Sequence, residues 1–140
     1  MSRANSKRLE IGGYIDRTQS LKFKFNGREY VGFRGDTLAS ALMANGVNVL
    51  SRSFKYHRPR GVQNRGYADV TSLVQIAGKD ESPNILASVQ PLYEGLEAFS
   101  VNCWPSVSFD IGSIFGAFSP ILPAGFYYKT FMWPSWHAFE

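Results

Sequence analysis

The sequence predicts an α+β domain, a mixed sheet closed over one helix and followed by an aromatic, proline-broken extension. Three observations carry this reading. Apolar residues alternate through residues 21–25 and meet Asn26-Gly27, a strong signal for a two-residue hairpin turn. One short helical stripe follows, made of Leu38, Ala41 and Leu42, and Asn45-Gly46 supplies its left-handed stop. Beyond it, short apolar runs alternate with turn residues, as strands do.

The elements follow in order. Residues 21–25 place Leu21, Phe23 and Phe25 on one face and leave Lys22 and Lys24 in water. Residues 29–33 form the return strand. Asp36 is the expected N-cap of a helix over 37–44. Residues 47–50 suit a short extended piece, and a long loop runs from there to about residue 68. Residues 72–77 (SLVQIA) read as a strand and 78–83 as a turn; 85–92 and 96–100 read as a closing hairpin around Tyr93-Glu94-Gly95. Hairpin, helix, long loop, strand and hairpin is the order of a β-grasp domain. The chain divides into an arm (1–18), this domain (19–101) and an extension (102–140). The extension holds all three tryptophans and, as charges, only Asp110, Lys129 and Glu140. It cannot readily build a core, so it is expected to lie against the domain or another chain.

Charge is unevenly spread. Residues 37–68 contain no Asp or Glu but hold Arg52, Lys55, Arg58, Arg60 and Arg65, while the formal net charge of the chain is +4. This basic segment, RSFKYHRPRG over residues 52–61, calls for an anionic partner. Arg52, Lys55, Arg58 and Arg60 are the candidates for anionic contact, because guanidinium forks hold carboxylates or phosphates at two points. Tyr56, His57, Tyr127, Tyr128, Phe131 and Trp133 are the candidate interface anchors, since aromatic residues concentrate at interface cores. A charged fraction of 19% is low for a free-standing domain and points the same way. A basic loop could bind nucleic acid, but no base-reading motif accompanies it, so nucleic acid is not an expected partner.

Other chemistry is missing. The single cysteine, Cys103, excludes an internal disulfide and reads as a small core residue. His57 and His137 show no metal-ligand spacing, and no dinucleotide fingerprint or nucleophile elbow is present. Residues 111–128 lack charge, yet Pro120, Pro123 and three glycines break any helix able to span a bilayer. The N-terminal residues contain no apolar leader, and a cytoplasmic location is expected. In plant-type ferredoxins the long loop binds a [2Fe–2S] cluster through Cys-x4-Cys-x2-Cys and a later cysteine. Counting back from SLVQIA, those positions here are Asn64, Asp69, Ser72 and, later, Ser88. None supplies a thiolate, so no metal and no cofactor is expected on this segment.

The runs GDTLASAL, SFKYHRPRG and GFYYKTFMWP, in that order, resemble the N-terminal region of the alpha subunits of heterotetrameric sarcosine oxidases. The resemblance runs from about Gly12 to Trp136. It implies a cluster-less β-grasp domain that is non-catalytic and serves assembly. Its partners would be the remainder of the alpha subunit and the beta, gamma and delta subunits. The complete complex demethylates sarcosine oxidatively to glycine with FAD, FMN, NAD and tetrahydrofolate. Ending at Glu140 without a dinucleotide fingerprint, the chain is expected to be inactive alone. It departs from the family pattern at residues 66–71 (GYADVT), where an acidic stretch with Pro-Asn is usual. The alpha chain of N-methylglutamate dehydrogenase is similar more remotely, and an iron–sulfur electron-transfer module is the less favoured alternative.

Overall fold

The computed structural model describes residues 7–78 and 82–114. Five strands form one mixed sheet in the order β2-β1-β7-β5-β6. They are β1 (Asp16–Phe25), β2 (Arg28–Arg34), β5 (Leu73–Ile76), β6 (Ser82–Leu86) and β7 (Glu97–Ser100). A separate small ladder pairs β3 (Ser51–Arg52) with β4 (Pro59–Arg60), and the helix α1 spans Leu38–Ala44. β1 and β2 are antiparallel; β7 runs parallel to β1 and antiparallel to β5. A parallel pair at the centre, flanked by hairpins and packed on one helix, is the β-grasp arrangement.

The hairpin turn forms for the reason the sequence gives. Asn26 and Gly27 both take positive φ, 51° and 75°, the backbone that matches the twist of the flanking strands. Phe23 and Phe25 then fall on the helix side and are buried at 1% and 2%, while Lys22 and Lys24 are exposed. Leu38, Ala41 and Leu42 meet them, joined by Leu50, Val74, Leu96 and Ala98. At Gly32 a Cβ would strike Leu92 and Ala41, so glycine lets the helix close onto β2.

Several sequence expectations are corrected. Thr37, not Asp36, caps the helix: its hydroxyl accepts from Ser40 N, and Ser40 Oγ accepts from Thr37 N. Asp36 is instead buried and engaged by Arg8, as described below. The expected closing hairpin does not form. β6 pairs back onto β5, and residues 87–92 leave the sheet to run beside α1, with Leu38 N donating to Gln90 O and Leu92 N to Asp36 O. Residues 47–50 lead into the basic loop, where the paired strands are β3 and β4, and Leu50 N donates to Arg60 O at 2.8 Å. Burial of the apolar side of residues 85–92 can be met by the helix as well as by a strand partner, and periodicity cannot tell these apart. Among the described residues no helix is long and apolar enough to cross a membrane.

Candidate functional site

The basic loop folds as a small clasp. β3 and β4 pair Ser51 with Arg60 and Arg52 with Pro59. The tip closes through Ser53, whose carbonyl accepts from His57 N at 2.9 Å and whose hydroxyl accepts from Arg58 N at 3.0 Å. His57 takes φ 50°, an uncommon left-handed conformation for a non-glycine residue. The loop is thereby bent so that the His57 ring points back to the extension.

There it meets Asp110, whose side chain is fully sealed from water. His57 Nδ1 lies 2.7 Å from Asp110 Oδ2. A carboxylate only accepts, so Nδ1 carries the proton. Arg52 Nε stands 3.6 Å from the same oxygen and donates to Val107 O at 2.9 Å, while Arg52 Nη1 donates to His57 O at 2.8 Å. Trp104 N and Gly112 N donate to Asp110 Oδ1. Burial pushes this carboxyl up, but the Trp104 amide, the His57 ring and the Gly112 amide outweigh it and hold it below the ordinary carboxylate range. A Cβ at Gly112 would run into the His57 ring, so glycine is required for this approach.

The structure therefore divides the predicted residues. Arg52 and His57 are engaged inside the chain, joining the loop to the extension. Lys55 and Arg58 both lie against the Tyr56 ring, at 5.1 and 5.0 Å from its centroid. Arg58 is exposed and Arg60 half-buried. Residues 37–78 and 102–114 hold two acids, Asp69 and Asp110, both at most 5% exposed, so these segments show no carboxylate of their own at the surface. Phe54, Trp104 and Phe109 stand 75%, 69% and 70% exposed on the same two segments. Together they present positive charge beside aromatic surface. Tyr127, Tyr128, Phe131 and Trp133 lie outside the described residues.

Sequence reasoning missed Asp110 as the organiser, although it is the one acid in residues 102–128. Cys103 is half-buried, not a core residue. It borders an open cleft of about 820 Å³ shared with Phe25, Tyr30, Arg52, Phe99 and Val107. Burial, then the nearby Asp110 charge, push its thiol up, with Arg52 pulling the other way.

The second part of the long loop passes the position where a ferredoxin holds its cluster. Asn64 and Ser88 border one cavity of about 360 Å³ between this loop and α1. Asp69, Ser72 and Ser88 are 1%, 0% and 8% exposed. These are hard oxygen donors. A cluster needs soft thiolates, and Cys103 is the only cysteine in the sequence, so the residues present do not fit a [2Fe–2S] cluster. Among the described residues no three of His, Cys, Asp and Glu gather to hold a metal ion.

The comparisons agree with this architecture. Residues 18–103 match the family described as the 2Fe-2S iron-sulfur cluster binding domain. The chain is 55% identical over 132 residues to the sarcosine oxidase subunit alpha of Rhizobium meliloti (strain 1021), which is 94% of this chain and 13% of that protein. The corresponding subunit of Corynebacterium sp. (strain P-1) is 37% identical over 67 residues, 48% of this chain and 7% of its own length. The chain thus spans only a small part of the curated relatives it matches. Among solved structures, L-proline dehydrogenase from P. horikoshii aligns with a TM-score of 0.52 at 21% identity, over 65% of this chain and 17% of that one, a likeness of fold alone. By sequence match, the chain is a homologue of sarcosine oxidase alpha subunits and belongs to the 2Fe-2S iron-sulfur cluster binding domain family.

Proposed function

We propose that this domain is a non-catalytic docking module of a sarcosine oxidase-like oxidoreductase. The observation that carries the reading is the surface built around Asp110. Arg52 and His57 fix the loop against the extension, Lys55 and Arg58 lie on the Tyr56 ring, and the two segments carry exposed Phe54, Trp104 and Phe109 with no surface carboxylate. Such a surface fits a protein face carrying carboxylates around an apolar seat. The partners in this reading are the remainder of an alpha subunit and the beta, gamma and delta subunits. Oxidative demethylation of sarcosine, with FAD, FMN, NAD and tetrahydrofolate, belongs to the complete complex. The segment contributes no catalytic group and no cofactor ligand.

The high identity to the Rhizobium meliloti subunit favours sarcosine over the related N-methylglutamate as substrate of the complex. The family description alone would favour an iron–sulfur electron-transfer module, but the donor set argues against it. The test is assembly with the remaining subunits after Arg58→Glu and Arg60→Glu together. Loss of assembly and of complex-bound flavin is the expected result; unchanged assembly and flavin content contradicts the reading.

A further inference from the structure

The loop at the counted cluster positions is not slack, although nothing metallic is suited to hold it. Thr71 N donates to Asp69 Oδ1 at 3.1 Å. Thr71 Oγ1 sits 2.9 Å from the same oxygen and 2.8 Å from Gly61 O, and shares its one proton between them. Ser88 Oγ donates to Gly66 O at 2.8 Å, tying the middle of the loop to the segment after β6. Ala87 N donates to Ser72 O at 2.8 Å, and Ser51 Oγ reaches Thr71 O at 3.4 Å from β3. Asp69 Oδ2 and Ser72 Oγ are buried without a partner in full hydrogen-bond geometry. Burial pushes the Asp69 carboxyl up, but the donors around it, Thr71 among them, outweigh burial and hold it below the ordinary carboxylate range.

We propose that a hydrogen-bonded clasp centred on Asp69, with Thr71, Ser88 and the Ser72 carbonyl, closes this loop where other members of the family close it around a metal cluster. Asp69 and Ser88, whose side chains make these bonds, stand at two of the counted cysteine positions, so the substitutions that remove those thiolates also supply the clasp. A carboxylate accepting several local donors can fix a loop of this length, because each donor otherwise has to be satisfied by water or left unmet. The segment 61–72 is then ordered by the polypeptide alone. The proposal rests on the reading that the domain holds no cluster.

Hydrogen exchange of amides 61–72 and 87–88, in the full chain within the assembly it purifies with, reads the clasp directly. Asp69→Asn speeds exchange there by about tenfold and Ser88→Ala by several-fold, while β1 and β2 keep their wild-type rates. Thr71→Ser keeps the hydroxyl and exchanges as wild type, which separates loss of the clasp from general misfolding. A ferrous-iron chelator under reducing conditions leaves protection unchanged. Wild-type exchange in both Asp69→Asn and Ser88→Ala, or loss of protection on chelation, overturns the clasp. Bound iron in anaerobically purified protein overturns the cluster-free reading and the clasp with it, whereas iron-free protein with unchanged exchange overturns the clasp alone.

Discussion

Asp36 and Asp110 are both sealed from water, and each takes an arginine from a distant part of the chain. Their surroundings differ. Asp36 sits where β2 hands over to α1. It accepts from Phe33 N at 2.9 Å, from Ser40 Oγ at 2.7 Å, and from both terminal nitrogens of Arg8 at 3.0 and 2.7 Å. Arg8 also stacks over Phe33 at 5.2 Å, so the N-terminal arm is strapped to elements that already have a ladder and a core. Asp110 joins segments with little regular structure of their own, a two-residue ladder and the turn-rich residues 102–114. One device, a buried carboxylate paired with an arginine from a distant part of the chain, stands at the edge of the core in one place and beneath the proposed docking surface in the other.

That contrast can be broken experimentally. Asp36→Ala strands Arg8 at the core edge and should lower global stability most, by about 3–5 kcal/mol in urea unfolding. A loss under 1 kcal/mol would remove the distinction. Asp110→Ala should cost less globally, about 1–3 kcal/mol, yet raise amide exchange in residues 53–58 and 104–113 and weaken assembly. Gly112→Ala forces the His57 ring away from Asp110 and is expected to cost about 1–3 kcal/mol, with the same local signature.

Acid provides a sharper view of the second junction. The folded-state pKa of Asp110 is lowered, so its stabilisation is fully present above the ordinary carboxylate range and is lost as pH falls through the folded value. The stability difference between wild type and Asp110→Asn should be flat above about pH 5 and shrink below about pH 4. A difference that grows on acidification would contradict this sign. The smallest effect concerns Cys103, whose thiol is raised by burial and then by Asp110. Asp110→Asn should speed its alkylation at neutral pH by a few-fold, since thiolate is the reactive form.

Much of the sheet and the helix was legible because local signals agreed with the fold. Asn26-Gly27 fixed the hairpin, and the period-two run before it fixed which residues face the helix. The pairing of β6 was not legible, because residues 85–92 carry an apolar run that fits a strand or a covered loop equally well. The helix cap was misassigned by one residue, since Asp36 and Thr37 are both good caps and only tertiary contact with Arg8 separates them. At the candidate surface, the basic segment was visible as a charge imbalance. Its internal division was not, because the partner of Arg52 and His57 lies more than fifty residues further on and no local pattern announces it.

The most direct test compares two charge reversals on different faces. Arg58→Glu/Arg60→Glu alters the surface beside Tyr56, and Lys22→Glu/Lys24→Glu alters the wet face of β1 by the same charge. Affinity for the remaining subunits is titrated for both at two salt concentrations. The account predicts a large, salt-sensitive loss for the first pair only. Equal loss in both pairs, or none in the first, would contradict it.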